Sequence, residues 1–114
     1  MREPNSRQLH RLARLEAILS VYFVVQEEIT DAAGMEAYGK AAGPTLQGVR
    51  GEVLVVDDNV QAIEGDWHGS RLVVLKFEDD QAFHDWYDSS AYQEARKLRL
   101  ASSDSRGALA RGLG

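Results

Sequence analysis

The stretch "EGDWHG" at residues 64–69 gathers Glu64, Asp66, Trp67 and His68, with Arg71 just beyond it. Glu64 and Asp66 are two positions apart, so on a continuing strand both carboxylates would face one way. Paired carboxylates do acid–base work when burial, or the neighbouring charge, raises one of their pKa values. The blander expectation, and the favoured one for a turn, is that Asp66 accepts from turn amides while Glu64 pairs with Arg71 across the bend. Trp67 suits the wall of an apolar pocket as well as it suits a plug at the end of a barrel. His68 stands next to a glycine and is expected to face solvent rather than to act as a base. Further along, Trp86 and Tyr87 lie at helical spacing from Ala82 and Phe83, which reads first as core. Tyr92 needs a partner for its hydroxyl if it is buried.

Other chemistries find no support. The chain has no cysteine, which removes disulfides, thiolate nucleophiles and Cys-based metal sites. The histidines at 10, 68 and 84 share no ligand spacing, so no metal and no cofactor is expected. There is no G-x-S-x-G elbow and no phosphate-cradling glycine loop.

These residues must be held by a single small domain, the size prior for 114 residues. The formal charge of −5 leaves no basic footprint for nucleic acid. No apolar run approaches a membrane span and no signal peptide is evident, so a cytoplasmic protein with no membrane or nucleic-acid partner is expected. Residues 1–19 carry Leu9, Leu12, Leu15, Ile18 and Leu19 at helical spacing, with Arg2, Arg7, Arg11 and Arg14 around them. This is an amphipathic helical extension, expected to pack on its own domain or fray rather than to bind a membrane surface or acidic partner.

From residue 20 the pattern is α+β. "VYFVVQEE" (21–28) is a strand by its β-branched and aromatic content. Asp31 can cap a helix that Gly43-Pro44 interrupts, giving a broken helix over about 32–48. "EVLVVDDNVQAIEG" reads as a hairpin turning at Asp58-Asn59, and "RLVVLKF" (71–77) as a further strand. Asp79 caps one helix; Ser89 or Ser90 caps the next, with Gln93 placed for a capping box. The glycine-rich tail "RGALARGLG" gives at most a weak last strand. The order is that of a ferredoxin-like sandwich. "VYFVV", "VLVV" and "LVVL" do not alternate, so both faces of these strands are apolar. Two helices cover one face; a second copy of the sheet is the simplest cover for the other, with the N-terminal helix as its competitor.

"IEGDW", "RLVVLKF" and "WYDSSAYQEARKLR" together resemble a small bacterial family, the domain of unknown function 1330. The resemblance spans about residues 20–112 and excludes the extension. It implies a dimeric α/β-barrel, a homodimer packed sheet to sheet, and it implies no particular reaction, since related barrels include cofactor-independent oxygenases, isomerases and haem enzymes. The chain departs from the family pattern at Gly69, where proline is usual, at Ser90-Ala91 in place of Pro-Glu, and in keeping one glycine, Gly51, before the second strand.

Two functions are then in play. One is a small-molecule pocket between sheet and helices, drawing on Glu64, Asp66, Trp67, His68, Arg71, Trp86 and Tyr92, with cofactor-free chemistry on a small organic acid or aromatic. The other is a non-catalytic dimeric binding or structural module whose aromatics only complete the core.

Overall fold

The computed structural model describes residues 5–8 and 19–113. Residues 6–8 are helical; most of the 1–19 extension, and with it the expected apolar stripe, lies outside the described residues. Strands β1 (Val21–Ile29), β2 (Gly51–Asp57), β3 (Arg71–Phe77) and β4 (Ser103–Arg111) form one antiparallel sheet in the order β2-β3-β1-β4. Helix α1 (Ala32–Ala42), running on into a 3-10 turn (Gly43–Leu46), connects β1 to β2; α2 (Asp80–Tyr87) and α3 (Ser90–Ser102) connect β3 to β4. This is the ferredoxin-like α+β architecture. Among the described residues no helix is long and apolar enough to cross a membrane.

The helix starts follow local chemistry. Asp31 accepts from the Gly34 amide at 3.2 Å, Asp79 from Ala82 at 2.8 Å and Ser89 from Tyr92 at 3.2 Å, each satisfying an otherwise unpaired first-turn donor. Ser89 is the cap of α3. Gln93 does not close a capping box: its side-chain amide donates to the Tyr87 carbonyl at 2.7 Å, tying α3 to the end of α2.

Two sequence expectations need correction. Residues 60–64 form no strand, and the partner of β2 is 71–77, with Gly51 opposite Phe77 and Asp57 opposite Leu72. The Asp57 carboxylate accepts from the Asn59 amide at 2.8 Å, which bends the chain out of the strand, and residues 58–70 form a long loop. Conversely the tail is a full strand that begins at Ser103 and pairs with β1 from Ile29↔Ser103 to Val21↔Arg111. Gly107, a weak strand residue in isolation, leaves room for the Phe23 ring: a Cβ there would sit 2.9 Å from it.

Burial alternates along β1. Val21, Phe23, Val25 and Glu27 are buried and face the helices; Tyr22, Val24 and Gln26 are half-buried on the opposite face. On that helix-free face Val24 has Val74 and Ala108 as its ladder neighbours, and Val55 stands beyond Val74. Beneath the helices the core is aromatic. Trp86 lies 3.9 Å from Tyr92 and 5.2 Å from Phe77, between ring centroids, and Phe83 is 5.2 Å from Phe23. Such offset and edge contacts add to the stabilisation from buried area alone.

Candidate functional site

A cavity of about 270 Å³ opens between the sheet and α1. Its walls are mostly apolar, from Met35, Ala42 and Leu46 on the helix side, Val53, Val56, Val73 and Leu75 on the sheet, and Trp86 at the back. Three polar side chains enter it, Glu27, Tyr38 and Arg71. Two wider depressions, near Ser20 and Lys76 and near Ile29 and Ser70, are more open to solvent.

Glu27 is the unusual member. It continues the buried stripe of β1 two residues beyond Val25, so the strand's own period carries a carboxyl group under the helices. It is 2% exposed, and its Oε2 has no hydrogen-bond partner. Burial pushes its pKa up from the ordinary 4.5; Arg71 and then Arg99 pull it back, and Asp58 adds to the rise. Arg71, directly opposite Glu27 in the β1–β3 ladder, reaches away to Asp58, with Nε 3.0 Å from the carboxylate. Behind Glu27, the buried Arg99 donates to the Ser105 hydroxyl. Tyr38 and Tyr92 share a hydrogen bond between their hydroxyls at 3.0 Å. Burial, then Tyr92, raises the Tyr38 pKa further, so its hydroxyl keeps its proton.

The structure separates the residues singled out from sequence. Arg71 and Trp86 line the cavity. Tyr92, fully buried, does not line it but holds Tyr38 in place. Glu64 and Asp66 are exposed on the 58–70 loop, and Glu64 is not the partner of Arg71, a role Asp58 takes. Trp67 is 39% exposed. His68, expected to face solvent, has a side chain only 11% exposed. Its Nε2 lies 2.8 Å from the Asp104 carbonyl, and its ring stands by the Glu28 and Asp104 carboxylates at the end of the β1–β4 ladder. It is brought there by Gly69, which packs against the Glu27 backbone. Glu27 and Tyr38 were not picked out from sequence as site residues. The available signal was the alternation Val21, Phe23, Val25, Glu27, which places a carboxyl group on a face that is otherwise apolar.

The family profile of the domain of unknown function DUF1330 matches residues 20–113. The chain belongs to this family. No curated protein matches it in sequence. In structure, this DUF1330 member is similar to a protein of unknown function from Rhodopseudomonas palustris, at TM-score 0.74 and 18% identity over 98% of this chain and 96% of that one. It is similar to SnoaB, a cofactor-independent oxygenase from Streptomyces nogalater, at TM-score 0.61 and 18% identity over 84% and 95% of the two chains. A dimeric ferredoxin-like protein of unknown function from Thermobifida fusca aligns at TM-score 0.58 and 10% identity over 82% and 92%. At these identities the likeness is one of fold. The φ of +71° at Gly69 is closed to a proline ring.

The Glu27 shift has a consequence for stability. A raised carboxyl pKa means that the folded chain holds this proton more tightly than the unfolded chain does. The contribution is fully present below about 4.5 and is lost as pH rises through the folded value. Glu27→Gln is fixed in the neutral form and does not suffer this loss. In denaturant melts of both proteins, the variant should gain on wild type as pH is raised from 4 to 8, with the acidic end showing the smallest difference. A difference that stays flat across this range, or runs the other way, would mean that the fold does not raise the affinity of Glu27 for its proton.

Proposed function

We propose that this DUF1330 protein is a cytoplasmic homodimer in which each subunit takes a small organic acid or aromatic compound into the cavity between sheet and α1, with cofactor-free chemistry there. The observation that carries this reading is the cavity itself. It has apolar walls for a flat hydrocarbon body and a small set of convergent polar groups, Glu27, Arg71 and Tyr38, at one side. Arg71 and Trp86 are the contact residues, with Tyr92 supporting Tyr38 from behind. The fold shared with a cofactor-independent oxygenase is compatible with such chemistry and does not specify it. The dimer is supported by the apolar centre of the helix-free face, where Val24, Val74, Val55 and Ala108 adjoin, and by dimeric neighbours of the same fold.

Thermal melting against a panel of small carboxylates and phenols tests the pocket. Binding to the native state raises stability with the logarithm of ligand concentration over its dissociation constant. At least one compound should shift the midpoint in this graded way, and sedimentation of the same sample should give twice the 12.6 kDa chain mass. No shift with any compound would favour the non-catalytic module. A monomer at micromolar concentration would remove the sheet-to-sheet dimer.

A further inference from the structure

Glu27 and Arg71 are ladder partners, and both line the cavity. Opposite charges facing each other across an antiparallel pair ordinarily attract into contact. Here Arg71 is drawn to Asp58, whose side chain is largely in solvent, while the Glu27 Oε2 is left without a donor. A buried polar group is normally satisfied, so an unpaired carboxyl oxygen on a cavity wall is a group with capacity for a ligand. Only the Asp58 end of this ion pair lies in solvent, and the buried Arg71 Nε, though 3.0 Å from the carboxylate, has no hydrogen-bond partner; so loose a contact leaves the guanidinium free to turn toward a molecule in the cavity. Trp86, Val73 and Leu46 supply the apolar surface next to it.

We propose that Glu27 is an acid–base catalytic residue that moves a proton at the carbon beside a carbonyl in a small, flat, enolisable compound, with Arg71 stabilising the enolate oxygen. This rests on the cavity being a ligand pocket. The Glu27 carboxylate takes the proton from the carbon; the C–H electron pair becomes the carbon–carbon double bond of the enolate, and the carbonyl π pair moves onto oxygen. The Arg71 cation offsets the charge that develops there. The Glu27 carboxyl exchanges its proton with solvent, and return of a solvent-derived proton from it to carbon restores both the ligand and the carboxylate. The cycle is a keto–enol exchange in which nothing is oxidised or reduced. Burial makes the carboxyl a stronger base than an exposed one, and Asp58 acts in the same sense; Arg71 and Arg99 oppose it and keep the charged form accessible.

Phenylpyruvate in D2O is a direct probe, since loss of its methylene proton signal reports proton exchange at carbon. The full-length protein should accelerate this loss at least about a hundredfold over protein-free buffer, the lower range of general acid–base catalysis. Glu27→Gln should abolish that acceleration while keeping the phenylpyruvate-induced rise in melting temperature; Arg71→Met should reduce both. Glu27→Asp, which withdraws the carboxyl by one methylene, should keep a measurable fraction of the exchange and serves if the glutamine variant does not fold. Binding of phenylpyruvate without accelerated exchange, or exchange that survives in Glu27→Gln, overturns the role of Glu27 and leaves the pocket standing. No melting shift with phenylpyruvate in the wild type overturns this inference through the pocket itself.

Discussion

Trp86→Ala should destabilise the fold by about 3–5 kcal/mol, the range for removing a buried tryptophan from a packed core. Trp86 is 2% exposed and packed between Tyr92 and Phe77. Its Nε1–H donates to the Thr45 hydroxyl at 2.9 Å, which in turn donates to the Ala42 carbonyl. Alanine therefore removes both the aromatic contacts and the donor that anchors the 3-10 turn to α2. It also widens the cavity, of which Trp86 is the back wall. Trp86→Phe separates these contributions: most of the packing stays and the hydrogen bond goes, for a smaller loss of about 1–2 kcal/mol from the bond and imperfect fit together. Urea unfolding at one fixed protein concentration measures both variants; the concentration must be held because a dimer's stability depends on it. A Trp86→Ala loss below about 1 kcal/mol would show that the aromatic cluster does not carry the core.

Gly69→Ala should be nearly as damaging, for a different reason. Gly69 has φ +71°, and a Cβ there would lie 2.2 Å from the Glu27 carbonyl oxygen and 2.6 Å from the Glu28 amide nitrogen. These are backbone atoms in the central strand, so they cannot swing aside as a side chain can. Gly65 is the internal control: its φ is +70°, yet nothing lies within 4 Å of its Cβ position. Gly65→Ala should therefore cost only the left-handed conformation, about 1–2 kcal/mol. Gly69→Ala adds the displacement of the loop from β1, and the total should reach about 3 kcal/mol or more. The displaced loop would take His68 away from Asp104 and disturb the start of β3 at Arg71. Hydrogen exchange at the Val60 amide, bonded to the Ser70 carbonyl at 2.9 Å, should rise in Gly69→Ala and stay slow in Gly65→Ala. Equal effects of the two substitutions would mean that the close approach to Glu27 is not held in solution.

What the sequence by itself determined is local or periodic. Asp31, Asp79 and the Ser89-Ser90 pair mark helix starts because a short side-chain oxygen meets a free amide within three residues; Asp31 and Asp79 serve as caps in the structure, and of the two serines Ser89 does. The Gly43-Pro44 break is likewise a property of one residue pair. The unalternating strands announced a sheet with two apolar faces, and Val24, Val74 and Val55 stand on the face the helices leave uncovered.

The tertiary structure alone decided which strands meet. Residues 60–64 and 71–77 were both eligible partners for β2; the choice fell on 71–77 because that strand is also held on its other edge by β1, a gain no local pattern contains. Residues 103–111 are a poor strand alone and a complete one against β1, where every position has a ladder partner. The site divides in the same way. Trp86 and Arg71 were legible as large or charged residues at suitable spacing. His68 is placed beside Glu28 and Asp104, residues of two different strands that lie far from it in sequence. The Glu27 Oε2 is left without a partner, while Arg71, its neighbour across the ladder, has its Nε 3.0 Å from Asp58 instead. The competition between two acids for one guanidinium is settled by where the 58–70 loop lies, and that is a property of the assembled sheet.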